Sequence, residues 1–145
     1  MNKQVLDWLI QNKRKTFSSP RDEVFTPRKP TKTFEIKSIL RDRVYIKFEG
    51  MKYLALPLGF EMFTRVLEYL EDNKPRAIRL GAKLAPPYDK DTLESIIWKT
   101  PYPIGNTPYK ASPHVCDILC LVGLLEYTEA VNPITGRQVQ AVKLK

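Results

Sequence analysis

Apolar residues recur along this 145-residue chain with two different periods, and the places where the period changes mark its elements. Val5, Leu6, Leu9 and Ile10 fall on one helical stripe with Trp8 at its edge. Asn2 is placed to cap that helix, and the basic run Lys13, Arg14, Lys15 ends it. Residues 16–32 hold Ser18, Ser19 and Pro20, then Thr26, Pro27, Arg28, Lys29 and Pro30, which predicts an extended linker without a long helix. Phe34, Ile36 and Leu40 next alternate with Glu35 and Lys37, and Val44, Ile46 and Phe48 alternate with Tyr45 and Lys47. That is the period of half-buried strands, with Arg41, Asp42 and Arg43 as the turn between them. Glu49 and Gly50 mark another turn and residues 51–56 a third strand, so a small antiparallel meander is expected.

Beyond Pro57 the period becomes helical: Phe60, Phe63, Val66, Leu67 and Leu70 share a face, and Glu61 can pair with Arg65 four residues on. Asn73, Lys74 and Pro75 end this helix. Ile78, Leu80, Ala82 and Leu84 then alternate with Arg79, Gly81 and Lys83, a half-buried strand with a basic outer face. Asp91, with Glu94 three positions later, reads as a capping box opening a short helix of Leu93, Ile96 and Ile97. Thr100 and Pro101 stop it, and a loop with Pro103, Gly105 and Pro108 leads to Ser112 and Pro113. Those two residues signal a helix start, since a Ser hydroxyl can cap free amides and Pro is tolerated in the first turn. Val115, Ile118, Leu119 and Val122 recur at helical spacing, and Gly123 supplies the left-handed residue that ends such helices. Residues 124–131 and 137–144 are rich in strand formers and flank Asn132, Pro133, Ile134, Thr135 and Gly136, which is hairpin chemistry.

Composition narrows the class. Apolar residues make up 43% and charged residues 28%, the balance of a globular chain with enough length for one core. No run reaches the ~18 apolar residues a membrane helix needs. The N-terminus also lacks an uninterrupted apolar run with a small-residue cleavage site, so a cytoplasmic, intracellular protein with no membrane partner is expected. The net charge of +8 favours polyanionic partners. Its excess is uneven: residues 1–32 hold eight Lys and Arg against three Asp and Glu, so +5 of the +8. Beside Pro20, Pro27 and Pro30 these cations fit an arm laid along phosphates, and equally a solvated helix end.

Cys116 and Cys120 lie four apart on one helix face and cannot form a framework disulfide. With His114 they make only three soft ligands, so reduced thiols in the core, with no metal and no cofactor, are expected. No G-x-S-x-G turn accompanies the single histidine, and a non-enzymatic role is expected.

From Pro57 the inferred order of helix, strand, helix, helix, strand, strand resembles the winged helix-turn-helix family over residues 57–145. Gly123, Leu124 and Leu125 follow the third helix, and Gly136 and Arg137 precede Val139, Ala141, Val142 and Leu144 in the last strand. The resemblance implies an α+β fold in which the N-terminal helix and small antiparallel sheet, residues 1–56, pack on a C-terminal winged-helix unit as one domain. It also implies duplex DNA binding, with the third helix, 113–122, in the major groove and the wing tip, 132–137, on backbone or minor groove. The helix departs from that pattern. It offers only His114 and Asp117 where base reading calls for Arg, Lys, Asn or Gln, and the link from 100 to 111 is long. Phosphate contact is therefore expected from Lys13, Arg14, Lys15, Arg28 and Lys29, and from Arg41 and Arg43 at a ribbon tip. Lys110 and Arg137 beside the helix and wing complete the set, with Lys99 nearby. Tyr102 and Tyr109 can stack on exposed bases or pack a Pro-rich loop.

The expected role is non-enzymatic nucleic-acid binding, DNA before RNA, by a transcription regulator or architectural factor. The alternative is a docking module for a protein partner or for a second copy in a homodimer. Residues 3–84 are also similar to the core of restriction-endonuclease-like nucleases: Glu35, Ile36 and Lys37 have the Glu-x-Lys spacing, and Asp22 or Asp42 would be the other acid. That family places Glu-x-Lys on the third strand and this chain on the first, which makes a metal-dependent nuclease the third reading.

Overall fold

The computed structural model describes residues 1–25, 33–50, 55–81, 87–99 and 109–145. Helix α1, Lys3–Gln11, forms where the apolar stripe predicts it; Asn2 Oδ1 accepts the Val5 amide at 3.2 Å, and Val5 and Leu9 are buried. Strand β1 (Thr16–Ser18), helix α2 (Arg21–Val24) and strands β2 (Thr33–Ile39), β3 (Arg43–Phe48) and β4 (Leu56–Gly59) follow. The four strands form one antiparallel sheet in the order β1-β2-β3-β4. Helix α3 (Phe60–Asp72), strand β5 (Ile78–Arg79), helices α4 (Leu93–Ile97) and α5 (Ser112–Val122) and strands β6 (Leu125–Val131) and β7 (Gln138–Leu144) complete the chain. These last strands make a second antiparallel sheet in the order β5-β7-β6. The fold is α+β.

The stretch expected as a linker is structured as far as Phe25. Phe17 lies opposite Phe34 in the ladder, and Ser19 and Arg21 are anchored on a carboxylate of α5. Ser and Pro punctuation hides such contacts because the partner lies 96 to 98 residues away. Pro20 sits just before α2, where a missing N–H removes no helical bond. Residues 26–32 lie outside the described residues. Strand β4 begins at Leu56, later than the expected 51–56; of that span, 51–54 lie outside the described residues. Pro57 is tolerated there because β4 is an edge strand. Strand β5 is two residues long, and Leu80 adds one further bond, its amide donating to the Gln140 carbonyl at 3.2 Å. Residues 82–86, the rest of the expected strand, lie outside the described residues.

Two helix starts also differ from expectation. Thr92, not Asp91, caps α4, its hydroxyl accepting the Ser95 amide at 3.3 Å, and Glu94 turns into the core. Helix α5 begins on Ser112 without a side-chain cap of its own, because Glu94 takes its first free amides. The hairpin and its preceding stop are as expected. Gly123 has φ +97°, a left-handed conformation that a side chain would strain.

One continuous core joins both halves. It includes Val5 and Leu9 of α1, Ile36 and Ile46 of the first sheet, Phe63 and Leu70 of α3, Ile118 and Leu119 of α5, and Val142 of β7. Phe17, Phe34 and Phe48 sit side by side across β1, β2 and β3. Trp8 of α1 meets one end of this row at 5.1 Å between ring centres, and His114 of α5 meets the other at 4.7 Å. Each such ring pair adds about 0.5–1.5 kcal/mol beyond its burial, so the row fastens two helices to the sheet.

Candidate functional site

The basic residues singled out in the sequence separate into exposed turns and a cleft. Lys13, Arg14 and Lys15 are exposed between α1 and β1, and their backbone is fixed. The Arg14 amide donates to the Ile36 carbonyl at 2.7 Å, and the Ile36 amide donates to the Lys15 carbonyl at 3.1 Å. Arg14 itself adopts φ +71°. Arg41 is exposed in the turn between β2 and β3. Arg43 is not a free tip cation. It opens β3 half-buried and grips Asp42 through two bonds, Nε to Oδ1 at 2.9 Å and Nη2 to Oδ2 at 3.0 Å. This pairing holds the Asp42 carboxyl below its ordinary pKa and raises that of Arg43. Arg137 is exposed at the turn of the β6–β7 hairpin, where its carbonyl accepts the Asn132 amide at 2.8 Å. Lys99 is exposed just after α4. Arg28, Lys29 and Tyr102 lie outside the described residues. Tyr109 packs: its hydroxyl donates to the Pro57 carbonyl and its ring stands edge-on to Trp98 at 5.2 Å.

Lys110 belongs to a cleft that the sequence did not reveal. Arg21, Arg79 and Lys110, from three distant segments, line a hollow of about 200 Å³ together with Asp89, Asn132 and Gln140. Leu80, Pro113 and Val139 supply apolar wall. Folding fixes each cation differently. Arg21 gives Nε and Nη2 to the Asp117 carboxylate at 3.2 and 3.1 Å, and Arg79 gives Nη2 to the Lys90 carbonyl at 3.1 Å. Lys110 makes no ion pair among the described residues. Gly81 also lines the hollow, at φ +103°, and a Cβ there would lie 2.9 Å from Glu94 Cβ and 3.1 Å from Thr92 Oγ1. Gly81→Ala is therefore expected to lower stability by about 2 kcal/mol or more, seen as a fall in the urea midpoint at unchanged slope. A sequence signal existed for Arg79, which stood on a basic outer face. Nothing local links it to residues 21 and 110.

Behind the cleft lie two buried carboxylates. Asp117, 2% exposed, accepts from Ser19 Oγ at 2.7 Å, from Arg21, and from the Tyr127 hydroxyl at 2.6 Å. Burial raises its pKa above the ordinary carboxylate value, against the pull of Arg21. Glu94, 1% exposed, accepts the Ala111 and Ser112 amides at 2.8 Å each and Trp98 Nε1 at 2.9 Å. It occupies the anion position at the N-terminus of α5 with a group of the chain's own.

Seven of the eleven residues of α5 are buried, Val115, Cys116, Ile118 and Leu119 among them, so this helix mainly serves the core. The His114 ring packs against Phe48 at a tilt of 55°. Both thiols are free; burial raises the Cys116 pKa and pushes that of Cys120 up to about 12, so they stay protonated at neutral pH. Glu35 faces Lys47 across the ladder, and Lys37 falls at the irregularity between Ile36 and Ser38. Among the described residues no group of three or more His, Cys, Asp or Glu could hold a metal ion. Nor is any helix among them long and apolar enough to cross a membrane. Comparison with protein families, curated proteins and solved structures found no match to this chain.

Proposed function

We propose that the protein binds nucleic acid without catalysing a reaction, as a transcription regulator or architectural factor, and that it grips backbone phosphates rather than base edges. The observation that carries this reading is the fixed, exposed turn of Lys13, Arg14 and Lys15, pinned to β2, with exposed Arg41 in the turn that follows that strand. Cations on a turn held by backbone hydrogen bonds meet phosphates at little entropic cost, and a net charge of +8 draws the polyanion in. The order α3, β5, α4, α5, β6, β7 supports a winged helix, with Arg137 on the wing, and this favours duplex DNA over RNA. Because α5 is buried, selectivity comes from the shape and stiffness of the duplex.

Fluorescence anisotropy across a salt series tests the proposal. Affinity should fall steeply with salt, and exchanging Lys13, Arg14 and Lys15 together for Gln should reduce the slope of log K against log salt by about 0.9 for each phosphate that is no longer neutralised. Absence of a complex with any duplex or single strand at low salt would overturn it.

A second reading, docking to a protein or to a second copy, draws on the wing tip. Ile134 is 81% exposed and Val131 53%, flanking exposed Pro133. Light scattering separates the two: a monomer that binds DNA supports the first, and a stable dimer without DNA affinity supports the second.

A further inference from the structure

We infer that the cleft formed by Arg21, Arg79 and Lys110 receives a terminal phosphate monoester, the end of a nucleic-acid strand, rather than a phosphate inside one. Three basic residues, 31, 58 and 89 residues apart in sequence, line one hollow, and the chain's own carboxylates relieve their mutual repulsion only in part. Two carboxylates face them. Asp117 offsets Arg21 from behind and Asp89 lines the wall, so the cleft keeps a net positive charge. Donors remain for a ligand: Arg21 retains Nη1, Arg79 retains Nε and Nη1, and the Lys110 ammonium is uncommitted among the described residues.

Size and charge select the ligand. At about 200 Å³ the hollow is smaller than the roughly 300–1,000 Å³ that encloses a whole drug-sized molecule, so it takes one end of a larger ligand. A phosphodiester within a strand carries a single charge and continues on both sides. A monoester carries about −1.5 to −2 at pH 7 and projects from its chain, which suits a small cleft lined by two Arg and a Lys. Leu80, Pro113 and Val139 provide apolar wall for the adjoining sugar, and the Asn132 and Gln140 amides can donate to its hydroxyls. The cleft adds a second class of contact to the basic turns. The strand rests on the nucleic-acid reading above; the phosphate does not.

The test compares one single-stranded oligonucleotide with a 5′-phosphate and with a 5′-hydroxyl, at fixed moderate salt. The phosphorylated strand is expected to bind on the order of tenfold tighter, and Arg79→Gln or Lys110→Gln should bring the ratio close to one. Adenosine monophosphate and inorganic phosphate, titrated separately and followed by NMR shifts at Gly81 and Lys110, distinguish a strand end from a free phosphate. Equal binding of both strands, without shifts from either small anion, overturns the inference and leaves the nucleic-acid reading intact. If neither strand binds but a small anion shifts those signals in the wild type and not in Arg79→Gln, the nucleic-acid reading fails and the phosphate site stands. Silence in every arm overturns both. Two variants guard against a folding defect in either one, and each is accepted only with the wild-type circular dichroism spectrum.

Discussion

Asp117→Ala is expected to destabilise the protein by about 3–5 kcal/mol, the usual result of breaking a buried ion pair from one side. The substitution strips Ser19 Oγ, the Arg21 guanidinium and the Tyr127 hydroxyl of their shared acceptor in one step. Arg21, with a side chain 12% exposed, would keep its charge without a carboxylate beside it. Urea unfolding measures the loss. Exchanging both partners, Arg21→Met with Asp117→Leu, should recover much of it, because two charges are then no longer held out of water. A double variant as unstable as the sum of the singles would show no coupling between the two side chains and would overturn this account.

The same residue sets a pH dependence with an unusual sign for a salt-bridged acid. Its folded pKa lies above the ordinary value, so the folded state binds the proton more readily than the unfolded chain. Stability from this group is fully present below the unfolded pKa of about 3.9, and it is lost as pH rises through the folded value. Asp117→Asn should therefore flatten the stability profile from about pH 4 upward.

Glu94→Ala is the other large effect, an expected loss of about 3 kcal/mol or more. The Ala111 and Ser112 amides are buried at the start of α5 and have no other acceptor among the described residues when this carboxylate is removed. Each orphaned donor costs about 1–3 kcal/mol, and the helix end also loses the negative charge that matches its dipole. Glu94→Gln keeps one carbonyl oxygen but turns an NH₂ group toward donors, so about half the loss is expected. Trp98 reports directly, since Glu94 accepts its indole N–H. Near-ultraviolet circular dichroism should lose amplitude in the alanine variant before global unfolding. An unchanged midpoint would mean that water replaces the carboxylate without penalty.

These two carboxylates also show what was legible in the sequence. Gly123, the hairpin turn and the stripe of α1 could be read because each rests on contacts within a few residues. The basic turn at 13–15 could be read for the same reason, since an exposed run of cations needs no partner. The spacing of Glu94 from Asp91 fits a local cap, whereas its real donors lie 17 and 18 residues on. Arg21 stood in a stretch punctuated by Ser and Pro, and only the position of Asp117 shows that the stretch is strapped to α5. The cleft was invisible in principle, because its three cations share no period and meet only through packing. Conversely, the apolar character of α5 was plain in the sequence, and its burial follows from that.

The sheet edges carry a consequence of another kind. An unpaired strand edge is a template for aggregation, and long, flat, apolar edges are the dangerous ones. Strand β1 offers three residues, β4 interrupts its donors with Pro57, and β5 is two residues long. Strand β6 is the longest edge at seven residues, and exposed Glu126 and Glu129 stand along it. Among the described residues, three edges are thus blunted by geometry and one by charge. Salt screens charge and leaves geometry untouched, so the colloidal weak point of this molecule in concentrated, high-salt solution is the outer side of its C-terminal hairpin.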